Sequence, residues 1–237
     1  MIFKIVEEVI ELALIVASIY LILGFYVRRY QPKWSKPLDK HRLTTLLILV
    51  LSVSALKVSE DVLGGESGSI DTAILIFIHI YVSSSLTWFF EAVTYTGSST
   101  VLFPLATMLT IILLYMKYRF EALLVAASSI GGAIAIYLIK MVVSRPRPIL
   151  WDTVEYWGSS FPSGHTLAVA AFATSVVLSI RRIRPALHHL ALFIAVLWIT
   201  LVAISRLVLG VHWPTDVLVA ACIGAFIPLA ISVGFDT

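Results

Sequence analysis

The chain has 237 residues, 59% of them hydrophobic and only 13% charged, with a mean hydropathy of +0.98. A soluble domain of this length needs far more polar surface, so the composition specifies an integral membrane protein. The net charge of +3, with basic residues in loops rather than on one stripe, is too small to suggest a nucleic-acid partner, and the single Cys222 excludes an intramolecular disulfide.

A membrane-spanning helix takes roughly 20 mainly apolar residues. Runs of that kind fall at about 9–27, 43–63, 99–116, 120–141, 165–181, 187–207 and 214–234, seven in all. Ahead of the first run, Glu7 and Glu8 stand against Lys4 alone, with Glu11 just inside it. That is the reverse of a secretory leader, so the run reads as a span. The stretch 70–95 is apolar but broken by Ser83-Ser84-Ser85, and it carries His79 and Glu91. It reads as one or two amphipathic helices at the interface, the alternative being an eighth span. Small residues mark the fourth run (Ser128, Ser129, Gly131, Gly132), the fifth (Ala168, Ala170, Ala171, Ala173) and the seventh (Ala220, Ala221, Gly224, Ala225). Small side chains let membrane helices approach, so these three runs are expected to pack together, with the Ile/Leu-rich first run peripheral. The expectation is an all-α polytopic bundle forming one domain. Residues 1–42 make the first span and a basic loop, and 43–237 hold the remaining runs.

Loop charge orients the bundle. Arg28, Arg29, Lys33, Lys36, Lys40 and Arg42 follow the first run, Lys117 and Arg119 the third, and Arg181, Arg182 and Arg184 the fifth. By the positive-inside rule these loops are cytoplasmic. The opposite side receives Glu60, Asp61, Glu66 and Asp71, and with them three polar clusters. Ionisable groups are expensive in a membrane, so such clusters call for a chemical reason.

In the first cluster Lys140 ends the fourth run, and Pro146 and Pro148 force the chain around Arg147 to be extended. A guanidinium can grip two phosphate oxygens and an ammonium a third. Arg145 reads instead as a basic helix end reaching lipid headgroups. In the second cluster, Pro162-Ser163-Gly164-His165, Ser163 is a natural N-cap. The free amides of the following helix make an anion site, which Gly164 lets a ligand approach. The third cluster sets Ser205-Arg206 before His212 and Asp216. The last two lie four residues apart and share a face if a helix starts at Trp213-Pro214. Asp216 can then take the Nδ1 proton of His212 and leave Nε2 as a nucleophile. Trp151, Tyr156, Trp157 and Trp213 lie where aromatic belts form, and the loop 149–161, with Asp152 and Glu155, could instead cover a headgroup.

In this order, on one side, the clusters resemble the signature of the type 2 phosphatidic acid phosphatase superfamily. These are membrane lipid phosphatases that share an active-site plan with vanadium haloperoxidases. The resemblance covers about residues 43–234 and leaves the first span as an addition to the usual six. It implies that His212 attacks phosphorus and forms a phosphohistidine, that Asp216 steadies the imidazolium, and that His165 protonates the leaving oxygen and then activates water. It also implies that Lys140, Arg147, Ser163, Gly164 and Arg206 hold the phosphate oxygens, with no metal or other cofactor. The expected substrate is a glycerolipid phosphate or a polyprenyl phosphate or pyrophosphate such as undecaprenyl or dolichyl pyrophosphate. The expected place is the plasma membrane, with the site facing outwards. The alternatives are a phosphotransferase using the same intermediate and, more distantly, an anion transporter.

Overall fold

The computed structural model describes residues 2–150 and 158–235, and every regular element among them is helical. In chain order these are α1 (Ile2–Tyr30), α2 (Ser35–Lys40), α3 (Arg42–Leu63), α4 (Gly68–Tyr81), α5 (Thr87–Thr96), α6 (Ser99–Tyr115), α7 (Arg119–Val142), α8 (Gly164–Ile183), α9 (His188–Val208) and α10 (Pro214–Phe235). Five of them, α1, α7, α8, α9 and α10, are long and apolar enough to cross a bilayer. α6 has 17 residues, and α3 carries Lys57, Glu60 and Asp61 in its last turns. Both still stand in the bundle, α3 against α10 and α6 against α7.

The helix ends follow from local chemistry. α7 stops at Val142 because the chain turns extended at Val143, ahead of Pro146 and Pro148. α8 ends with Arg181 and Arg182 in its last turn, where cations meet the negative end of the helix dipole. α10 opens on Pro214, whose missing amide costs nothing at a first helical position.

α8 is the centre, with α7, α9 and α10 packed around it. The small residues allow this. A Cβ on Gly224 of α10 would lie 2.5 Å from the Leu167 carbonyl oxygen and 2.7 Å from Ala170 Cβ, so the two backbones nearly touch. The expected packing of the fourth, fifth and seventh runs is therefore observed, and α1 lies outside, against α3.

The stretch between α3 and α6 forms two helices bent by 90° at Ser83-Ser84. Its two ends reach one end of the bundle. Asp71 is hydrogen-bonded to Arg145 and Thr215, and Thr94 accepts from Arg206. A segment pinned at both ends to the same end does not cross, so the eighth-span alternative falls away.

Candidate active site

The three clusters meet at the end of the bundle where α7 and α9 finish and α8 and α10 begin. Gly210, at φ +63, makes the left-handed turn that a residue without Cβ takes cheaply, and the turn delivers Val211 and His212 back to the bundle. His212 is 2% exposed, and its Nδ1 lies 3.6 Å from Asp216 Oδ2, an ion-pair distance just past hydrogen-bond reach. Arg147 Nη1 lies 3.4 Å from Nε2 on the other edge of the ring. A guanidinium can only donate, so Nε2 faces it as a lone pair, with the proton on Nδ1 towards Asp216. Burial pushes the imidazole down to about 4, further helped by Arg206 and Arg147, and Asp216 pulls the other way. The ring is therefore neutral at pH 7.

The other expected residues surround this pair. Lys140 donates to the Ser159 carbonyl at 2.7 Å. Arg147 also donates to the carbonyls of Val211 at 2.8 Å and Gly158 at 3.3 Å. Arg206 is buried and donates to Thr94 Oγ1 at 2.7 Å. Ser163 is the N-cap of α8, but its hydroxyl pairs with Thr166 Oγ1 at 3.1 Å rather than capping a backbone amide. Its own amide donates to the Asp216 carbonyl, which ties α8 to α10. Gly164 and His165 form the first turn of α8, and His165 shares with Arg206 a cavity of about 830 Å³. The end of α4, α5 and the turn after it also line that cavity, α5 and its turn presenting Thr87, Glu91, Thr94 and Ser98. These are spaced 4, 3 and 4 residues apart, one polar face of a helix and the turn after it.

One sequence reading changes. Arg145 does not reach for lipid headgroups; its side chain is 12% exposed and bridges two buried carboxylates. Nη1 donates to Asp216 Oδ1 at 2.5 Å and Nη2 to Asp71 Oδ2 at 2.6 Å, with Thr215 Oγ1 and Ser67 Oγ as further acceptors. Trp213 joins the same cluster. Its indole donates to the Pro146 carbonyl and its ring lies 5.5 Å from the Arg145 guanidinium. Asp71, expected only as an acidic residue on the same side, and Thr94 join the site as partners of its arginines. The available signal was a lone carboxylate in the apolar run Ile70–Ile80, which a membrane tolerates only with a partner. Trp151, Asp152, Glu155, Tyr156 and Trp157 lie outside the described residues. No group of three or more His, Cys, Asp or Glu side chains among the described residues could hold a metal ion.

Residues 121–236, from α7 to the end of α10, match the model of the PAP2 superfamily. Phosphatidylglycerophosphatase B of Escherichia coli (strain K12) is 42% identical over 90 residues, covering 36% of this chain and about a third (34%) of that protein. Undecaprenyl-diphosphatase BcrC of Bacillus subtilis (strain 168) is 31% identical over 122 residues, covering 49% of this chain and 56% of that protein. The crystal structure of a transmembrane PAP2-type phosphatidylglycerolphosphate phosphatase from Bacillus subtilis superposes with a TM-score of 0.69 at 25% identity, over 81% of this chain and 95% of that one. The last four helices of this chain thus match the PAP2 superfamily model, and most of its length follows the fold of a solved PAP2-type phosphatase.

Proposed function

We propose that the protein is a membrane-embedded phosphatase that hydrolyses lipid phosphate or pyrophosphate esters through a phosphohistidine on His212, at the extracytoplasmic face and without a metal. One observation carries the reading. A neutral, buried histidine turns Nδ1 to a carboxylate and Nε2 to a guanidinium, beside a cavity that holds a second histidine and another arginine.

In this scheme the Nε2 lone pair attacks phosphorus and the bond from phosphorus to the leaving oxygen breaks. Protonated His165 gives that oxygen its proton. His212 carries positive charge as the N–P bond forms, and Asp216 stabilises it. Neutral His165 then takes a proton from water, the hydroxide displaces Nε2, and phosphate leaves with both histidines restored. Lys140, Arg147 and Arg206 meet the charge on the equatorial oxygens. For Lys140 and Arg147 this means exchanging the carbonyls of Ser159, Gly158 and Val211 for phosphate oxygens.

The relatives are named for phosphatidylglycerophosphate and undecaprenyl diphosphate, both phosphates on long-chain lipids. The polar face of α5 favours a headgroup with hydroxyls next to the phosphate, so a glycerolipid of the phosphatidylglycerophosphate kind ranks first. Loop charge, with Arg28, Arg29, Lys117, Arg119, Arg181 and Arg182 at the opposite end, supports an outward-facing site.

The test is phosphate release by purified protein in detergent with a chelator present. The substrates are phosphatidylglycerophosphate, phosphatidic acid and undecaprenyl pyrophosphate. Release is expected from at least one lipid, and none from His212→Ala. A folded wild-type protein inert towards all of them, or an active His212→Ala protein, would end the proposal.

A further inference from the structure

Asp71 is fully buried at the start of α4, and the scheme above gives it no task. It accepts from Arg145 Nη2 at 2.6 Å, from Thr215 Oγ1 at 2.7 Å and from the Thr215 amide at 3.0 Å. The other arm of the same guanidinium donates to Asp216 Oδ1 at 2.5 Å, and Asp216 Oδ2 is the oxygen nearest His212 Nδ1. The four side chains form a line: Asp71, Arg145, Asp216, His212.

The charges along that line matter because the interior screens them weakly. Were Asp216 the only partner of Arg145, the two would form a neutral pair, and little negative charge would remain for the imidazolium. Asp71 changes this. With a carboxylate on each side of one guanidinium, the trio carries a net charge of −1, and Asp216 keeps charge to offer His212. The Thr215 bonds fix Asp71 to the first turn of α10, one residue before Asp216, so the geometry is held along with the charge.

We propose that Asp71 is a positioning residue that sets, through Arg145, the charge and orientation Asp216 presents to His212. It couples the bent α4–α5 segment to the attacking group. The inference rests on the reading of His212 as nucleophile. Arg206 from α9, Arg147 from the segment after α7 and His165 from α8 also act on His212, and they stay constant in the variants below.

The test uses full-length protein in detergent and two variants, Asp71→Asn and Asp71→Asn/Arg145→Met. The first readout is the His212 Nδ1 proton resonance, assigned by its loss in His212→Gln, which moves downfield as the acceptor gains charge. Asp71→Asn should move it upfield and lower kcat about tenfold, the equivalent of one pKa unit of support, with KM little changed. The double variant removes one charge of each sign and should return both readings towards wild type. A merely structural ion pair predicts otherwise: an unmoved resonance, and a double variant worse than the single. Either result would overturn the inference, as would an Asp71→Asn protein identical to wild type. Should Asp71→Asn not fold, the double variant alone decides: a wild-type resonance and kcat support the coupling, and a displaced resonance with a lowered kcat refutes it. The resonance needs no substrate, so a wild-type protein without phosphatase activity would refute the proposed function and leave this result readable.

Discussion

At His212 the same burial that keeps the ring neutral makes the fold sensitive to acid. Its folded value, about 4, lies below the 6.5 of a free histidine, so the unfolded chain binds a proton first. The stability this group contributes is therefore complete above pH 6.5 and is lost as pH falls towards 4. The difference corresponds to about 3 kcal/mol across that window. Thermal unfolding in detergent should show the decline, and His212→Gln should flatten it; a wild-type midpoint constant from pH 7 to pH 4 would contradict the burial argument. Arg206 offers a second test. Thr94→Val removes a hydroxyl that accepts from its buried guanidinium, and losing a hydrogen bond to a charged group costs about 1.5–3 kcal/mol. The variant should unfold earlier and show a raised KM, and an unchanged KM would mean that Arg206 does not need Thr94 to face the cavity.

Two helices carry expectations of their own. On α5, Glu91 stands in the polar face that lines the cavity, three residues from Thr94. Glu91→Ala should lower kcat/KM for phosphatidylglycerophosphate more than for undecaprenyl pyrophosphate, measured side by side; equal losses would remove α5 from headgroup selection. On α10, Gly224→Val puts carbon into the α8–α10 contact. Overpacking of this kind costs about 1–3 kcal/mol, visible as a lowered unfolding midpoint. Both elements show what a sequence discloses. Helix ends at Val142, Gly164 and Pro214 were legible within a residue or two, because proline and cap residues act locally. The Gly224 contact was legible in kind, from the run of small residues. The hydroxyl pairing of Ser163 with Thr166 was not, since a cap position does not determine where its side chain turns.

For the molecule as a whole, the reading that failed concerns long-range partners. Arg145 and Asp71 are 74 residues apart, and each looks like an ordinary interfacial charge by itself. Only the packing of the first turn of α4 against the segment after α7 and the start of α10 brings them together. The reading that held concerns the order of the clusters, because each sits at a helix end and alternating helices put those ends on one side. Removal of residues 1–33 is accordingly expected to leave folding and turnover intact, since α1 packs on α3 while α3 packs on α10; a truncated protein that folds but has lost activity would assign α1 a part in the site. Sidedness has its own test in a cysteine placed at exposed Ser144, which a membrane-impermeant maleimide should label in intact cells. Labelling only after permeabilisation would invert the orientation. There remains the occupation of Lys140 and Arg147 by carbonyl oxygens of their own chain. Under the proposed function these oxygens behave as a built-in competitor for the phosphate. Arriving substrate has to displace them, and departing product is replaced by them without the cations ever standing bare. Such a protein would hold inorganic phosphate loosely while still gripping the more highly charged transition state, a resting condition that favours turnover over product retention.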